Sequence, residues 1–316
     1  MIVVAGEVLV DLVEEQDGLF RAVGGGSPAN VAVGLARLGV PTQFLARLGT
    51  GRFGEIVRSH LVDNGIGLAY SVTTTAPTTL AVVSVTEGGQ ASYDFYVDGT
   101  ADWGWTQDEL PASLPTDAVA LCTGSLALAV EPGATALTAL MRREHDRSAV
   151  TVVLDPNLRP SLVGPRASAH DRLRGQVELA DVVKVSDEDL RWLAPGEPAE
   201  RVAAGWLGAG PALVVLTRGT DGATAMARGG ARVDLPARPV DVVDTVGAGD
   251  AFTAGLLDGL GRHGLLGPGG PDRLAGCDAT SLRGALERAT VVAALTCARR
   301  GADPPTAAEV ETFLRT

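Results

Sequence analysis

A chain of 316 residues, 46% apolar and 20% charged, can bury a sizeable core, which excludes an intrinsically disordered protein. Its formal net charge of −12, without any Lys/Arg block, excludes nucleic-acid binding through a basic face. An acidic protein that handles anions must build positive potential locally, from backbone amides, Arg and metal ions.

The N-terminal run IVVAG reads as a buried strand, and the residues around it lack the basic segment of a signal peptide. Residues 8–23 alternate apolar and polar side chains, with Asp17-Gly18 as a hairpin turn. GGGSPANVAVGLARLG follows at residues 24–39. Gly25 and Gly26 permit bending or close approach, Pro28 favours a helix start, and Asn30 lies in the first turn. Residues 78–97 alternate again around Gly88-Gly89, and the two alternating regions together predict a small sheet, a lid, over segments 8–23 and 78–100.

Beyond residue 100 the strand-like runs AVALCTG, TVVLDPN, DVVKVS and ALVVLTRG are separated by helix-like stretches such as GATALTALMRREH and DEDLRWLA. This rhythm predicts one α/β domain with a central, mostly parallel sheet flanked by helices. Residues 261–276, rich in Gly and Pro, are expected to form an exposed loop. LRGALERATVVAALTCARR predicts the last long helix. Cys122, Cys277 and Cys297 are far apart with no C-x-x-C, which points to reduced thiols and a cytoplasmic location. The four histidines are scattered without zinc spacing, and no stretch is long enough to span a membrane.

In open α/β sheets ligands bind beyond the carboxyl ends of the strands. Here those ends carry Thr123-Gly124-Ser125, Asp155-Pro156-Asn157 with Arg159, Ser186-Asp187-Glu188-Asp189 and Thr217-Arg218-Gly219. Lys184 is the sole lysine, and Val185 follows it, so a G-x-x-x-x-G-K-[ST] phosphate loop is excluded. The alternative device is DTVGAGDAFTAGLL, residues 244–257. Gly247, Ala248 and Gly249 would bring bare amides to a helix N-terminus, which suits a phosphate. A carboxylate beside an anion site repels it unless it has a task, and taking a proton from an attacking hydroxyl is such a task for Asp250. Phe252 stands where a dinucleotide fingerprint needs its last glycine.

Residues 24–39 and 244–257, in this order, resemble the signatures of the ribokinase-like (PfkB-type) sugar kinases, and the resemblance runs from Gly6 to about Thr306. It implies a ribokinase-like fold with a β lid and ATP-dependent phosphorylation of a hydroxymethyl group. By position it implies Asp250 as catalytic base, with the amides of Gly247, Ala248 and Gly249 as anion hole. It assigns sugar hydroxyls to Asp11, Gly25, Gly26 and Asn30, and the nucleotide to Thr217, Gly219 and Gly222. Asp244, with carbonyls near Val246 and Gly301, matches a monovalent-cation loop for K⁺. The family's N-x-x-E stretch, tied to Mg²⁺, reads Ser186 to Asp189 here, and Asp189 retains a carboxylate for hydrated Mg²⁺. The family's G-x-D-x-F-G becomes Gly49-Thr50-Gly51-Arg52-Phe53-Gly54, and only a structural effect is expected from the missing Asp.

DPNLRP and GTADW look most like the fructokinase branch. Val97 after YDFYV, where 2-keto-3-deoxygluconate kinases often carry an Arg, favours a neutral ketohexose, with Arg159 as the residue that would otherwise meet a carboxylate. Tyr93, Phe95 and Tyr96 are candidates to pack on the sugar. The alternatives are a 2-keto-3-deoxygluconate kinase, another PfkB-type sugar or nucleoside kinase, and a non-catalytic sugar or nucleotide sensor. The lid's exposed edge offers a surface for a homodimer.

Overall fold

The computed structural model describes residues 1–15, 18–85 and 91–315, without the side chains of residues 85 and 91–93. In chain order the strands are β1 (Ile2–Ala5), β2 (Leu9–Glu14), β3 (Phe20–Gly25), β4 (Thr42–Leu45), β5 (Arg47–Gly49), β6 (Val72–Thr74), β7 (Leu80–Val85), β8 (Ala91–Tyr96), β9 (Ala120–Gly124), β10 (Thr151–Asp155), β11 (Val182–Ser186), β12 (Leu213–Thr217), β13 (Ala223–Ala227) and β14 (Arg232–Leu235). The helices are α1 (Ser27–Arg37), α2 (Arg52–Asp63), α3 (Gly133–Arg147), α4 (Arg166–Val177), α5 (Asp187–Leu193), α6 (Ala199–Trp206), α7 (Ala248–Arg262), α8 (Gly270–Ala275), α9 (Ala279–Cys297) and α10 (Ala307–Leu314).

The central sheet runs β14-β13-β12-β11-β10-β9-β1-β4. Its strands from β12 to β4 are parallel, and β13 and β14 close the far edge as an antiparallel hairpin. The apolar runs fill both faces because strand side chains alternate. In β1, Ile2 and Val4 enter one core with α1, α7 and α9, whereas Val3 and Ala5 enter the other with α3, α4 and α5. Helix α7 is buried along nearly its whole length, so its N-terminus is held rigidly at the sheet's carboxyl edge.

The two alternating segments do form one separate sheet, in the order β3-β2-β7-β8. Its outer strands expose Phe20 and Tyr96. The expected turns at Asp17 and at Gly88-Gly89, and the side chain of Tyr93, lie outside the described residues.

Two local expectations are revised or explained. Residues 261–276 are not an exposed loop: they include α8 and bury Leu265, Leu266 and Leu274. Arg273 replaces missing backbone pairing there by donating to the carbonyls of Gly264, Leu266 and Pro268. The missing Asp of the 49–54 segment falls at Gly51, the N-cap of α2, which has no side-chain cap. The absent carboxylate is therefore an absent helix cap, worth about 1 kcal/mol or less relative to Gly.

Candidate active site

The carboxyl ends of β1, β10, β11 and β12 converge with the lid and the start of α7 around one cavity of about 710 Å³. Asp11, Gly26, Asn30, Arg159, Asp189, Thr217, Gly219 and Val246 line it. Gly247, Gly249 and Asp250 line it as well.

Asp250 occupies the first turn of α7, and the N-cap is Gly247, at φ 75°. That left-handed conformation suits glycine, and a Cβ there would come within 2.5 Å of the Ala302 side chain. The N–H groups of Gly247, Gly249 and Asp250 make no hydrogen bond among the described residues, because the first amides of a helix have no intrahelical partner. Ala248 departs from the expectation: its N–H donates to the Thr245 carbonyl at 3.2 Å, and the residue is not on the cavity wall. The turn itself consumes that amide, so the amides without a partner there, among the described residues, belong to the flanking glycines and Asp250.

The Asp250 carboxylate accepts Ser27 Oγ at 2.7 Å on Oδ1 and Asn30 Nδ2 at 2.9 Å on Oδ2. Burial raises its pKa from 3.8 to about 6, against the lowering effect of those two donors. It is thus ionised near neutrality and still basic enough to take a proton. Across the cavity Asp11 is also raised to about 6, by burial and then by the charge of Asp250. Gly25 makes room for Asp11, since a Cβ at Gly25 would sit 2.1 Å from Asp11 Oδ2. Gly25 therefore shapes the wall from behind rather than touching the cavity. Gly26 is the N-cap of α1, which presents Ser27 and Asn30.

Beneath this turn lies a buried ion pair that sequence reading did not assign. Lys184 Nζ donates to Asp155 Oδ2 at 3.0 Å, and Thr253 Oγ1 donates to the same oxygen at 2.8 Å. Burial works against the lysine's charge, but Asp155, Asp189 and Asp250 outweigh it and its pKa is raised. Nζ would lie 3.2 Å from a Cβ on Gly249, so a fixed positive charge underlies the start of α7. The available signal was the strand end itself: a lone lysine inside an apolar run must find a carboxylate on a neighbouring strand.

Thr217 ends β12 and Gly219 follows it, and both line the cavity, whereas Gly222 does not. A Cβ at Gly222 would meet the Leu235 carbonyl at 2.0 Å, so that glycine serves the β13–β14 packing. Asp244 ties its own loop to Gly301, accepting the N–H of Val246 at 3.0 Å and of Gly301 at 2.8 Å. Neither Asp244 nor Gly301 lies on the cavity wall. Asp189 is committed to structure: Leu158 N–H donates to Oδ1 at 2.9 Å and Ser186 Oγ to Oδ2 at 2.7 Å. Ser186 and Asp189 form the capping box of α5, so the N-x-x-E departure is a helix cap built from shorter side chains. Of the lid aromatics, Phe95 reaches the cavity, whereas Tyr96 is exposed.

The sequence pattern of the pfkB family carbohydrate kinases matches residues 1–308. The chain belongs to that family. It is a phosphotransferase that acts on a sugar hydroxyl. A fructokinase from Rhizobium leguminosarum bv. trifolii is 37% identical over 270 residues, covering 84% of this chain and 81% of the relative. The structure of fructokinase from Xylella fastidiosa with bound ATP superposes with a TM-score of 0.89 at 29% identity, over 99% of this chain and 98% of that one. A double mutant of fructokinase from Vibrio cholerae O395, bound to fructose, ADP and potassium ion, gives 0.83 at 27% identity, over 99% and 97%. The likeness extends over the lid and the central sheet together, so the fold is ribokinase-like.

No group of three or more His, Cys, Asp or Glu able to hold a metal occurs among the described residues of this kinase. Mg²⁺ carried on phosphates keeps its waters and commonly takes only one or two carboxylates from protein. Glu188, exposed on the cavity wall, and the outer lone pairs of Asp189 are the groups that would meet it. No helix among the described residues is long and apolar enough to cross a membrane.

Proposed function

We propose that this kinase transfers the γ-phosphate of ATP to a hydroxymethyl group of fructose. The observation that carries the reading is the Asp250 carboxylate, buried and basic, at a helix start whose glycine amides have no other partner. Those features share one cavity with Asp11 and Asn30, which are suited to hold sugar hydroxyls. The fructokinase relatives, and the neighbouring structures with ATP or with fructose and ADP, support the choice of donor and sugar.

The steps follow from the geometry. Asp11 and Asn30 orient the sugar so that one hydroxyl meets Asp250. Asp250 takes its proton as the oxygen attacks the γ-phosphorus. The amides of Gly247 and Gly249 receive the charge that grows on the phosphoryl oxygens, and Lys184 adds a fixed positive field from below. Thr217 and Gly219 border the nucleotide. Bound Mg²⁺ would neutralise phosphate charge, held through water by Glu188 and Asp189. Asp244, with the carbonyls near Val246 and Gly301, would hold a K⁺ ion, which would supply positive charge beside the turn before α7. Closure of the lid, with Phe95 over the sugar, would exclude water and so suppress ATP hydrolysis.

A neutral sugar is favoured over an acid because Arg159 Nη1 is already spent on Asn157 and on backbone carbonyls. The test is ADP formation with a panel of sugars and sugar acids. Fructose should exceed 2-keto-3-deoxygluconate in kcat/KM by about a hundredfold or more, the scale of a lost or unpaired charged contact. A sugar acid turned over faster than fructose would overturn the assignment.

A further inference from the structure

Four side chains from three elements form a directed hydrogen-bond chain that ends on the base. Arg159 Nη1 donates to Asn157 Oδ1 at 2.7 Å, Asn157 Nδ2 donates to Ser27 Oγ at 2.7 Å, and Ser27 Oγ donates to Asp250 Oδ1 at 2.7 Å. The direction is forced at each link. Guanidinium has only donors, so the Asn157 amide must turn its oxygen toward Arg159 and its NH₂ toward Ser27. A hydroxyl has one proton. Ser27, already receiving from Asn157, spends that proton on the carboxylate.

The backbone is built for this arrangement. Asn157 sits at φ 38°, in the left-handed region that Asn tolerates better than other side chains. The next residue is pinned by the bond from Leu158 N–H to Asp189, so the loop after β10 cannot drift from α5.

We propose that Arg159 is a positioning residue for catalysis, which acts through Asn157 and Ser27 to hold the Asp250 carboxylate ionised and aimed at the sugar hydroxyl. This rests on the reading of Asp250 as the base, and it gives Arg159 a task other than binding substrate. Without Arg159 the Asn157 amide is free to turn over and offer Ser27 its oxygen. The serine proton then goes to Asn157, and Asp250 loses both the Ser27 donor and the long 3.5 Å contact from Asn157 Nδ2, keeping only Asn30. The other ionisable groups around Asp250 are Asp11 on β2, Cys122 on β9, Asp155 on β10 and Lys184 on β11, and a change at Arg159 leaves all of them in place.

The experiment compares the wild-type kinase with Arg159→Met and Arg159→Lys, measuring kcat, KM for fructose and the pH profile of kcat/KM, with thermal melts as a check of folding. Arg159→Met should lose about tenfold or more in kcat at pH 7, keep KM for fructose within about threefold, and move the acid limb of kcat/KM to higher pH. Arg159→Lys should recover most of the rate, because an ammonium donates to the same amide oxygen. Adding Arg159→Met to Asp250→Asn should cost nothing further. A raised KM with unchanged kcat, an unmoved acid limb, or a full additional loss in the Asp250→Asn background would overturn the proposal. A wild-type enzyme inert toward fructose would instead overturn the functional reading. A fully active Arg159→Met beside an inactive Asp250→Asn would remove only the role of Arg159.

Discussion

Replacing Asp250 by Asn removes the base and leaves the shape of the site, and it should separate activity from stability. General-base catalysis is worth about 10²–10⁴ in rate, so kcat for fructose should fall by that factor, with KM for ATP and fructose changed by less than about threefold. Stability should move the other way. A rise in Asp250 pKa from 3.8 to about 6 means that its ionised form costs the native state about 3 kcal/mol at pH 7. The variant escapes that cost, but an amide can serve only one of the two donors Ser27 and Asn30, which returns about 1.5–3 kcal/mol. The net gain is of order 1 kcal/mol, or about 1–2 °C in Tm for a chain of this length. Because native Asp250 binds its proton at a higher pH than the unfolded chain does, the wild-type cost fades as pH falls through about 6, and the difference in Tm should shrink at pH 5. The assays are coupled ADP release and thermal melts at pH 7.5 and 5. A folded Asp250→Asn enzyme within tenfold of wild-type turnover would refute the reasoning.

The same sign governs the whole site. Glu7, raised to about 7, and Asp11, Asp102 and Asp250, each raised to about 6, all bind protons more tightly in the native state. Their stabilising contribution is complete below the unfolded carboxylate range and is lost as pH rises through 6–7, so urea midpoints should be higher at pH 5.5 than at pH 8. Acids with lowered values, such as Glu109 and Asp234, lose their contribution only below that window, and a midpoint that falls steadily from pH 8 to 5.5 would contradict this. Gly25→Ala should push Asp11 out of line, raising KM for fructose about 10- to 100-fold, the worth of a charged hydrogen bond, with kcat and Tm little changed. Unaltered KM would mean that Asp11 does not touch the sugar. Lys184→Met should strand the Asp155 carboxylate and cost about 3–5 kcal/mol, a drop of several degrees in Tm, with partial recovery on adding Asp155→Asn.

Sequence alone determined the elements and the chemistry that is local to them. The runs at β1, β9, β10, β11 and β12 are apolar on both sides because they lie between two helical layers, and that pattern can be read from single strands. The glycines before Asp250 and the carboxylate itself lie within four residues, so their place together at one helix start was equally legible. The alternation of residues 8–23 and 78–97 announced a second sheet, because side chains with one dry face must repeat every two residues.

Only the tertiary structure decided what depends on contacts between distant segments. The pairing of Lys184 with Asp155 joins two strands 29 positions apart, and the chain from Arg159 to Asp250 crosses from the loop after β10 to α1 to α7. Neither leaves a periodic trace in sequence, because a hydrogen bond constrains donor and acceptor geometry rather than spacing along the chain. The same reason separates Gly249, which lines the cavity, from Ala248, whose amide the turn consumes, and Gly219 from Gly222. Residue type permitted the same role at each of these positions, and the direction of the folded backbone assigned it.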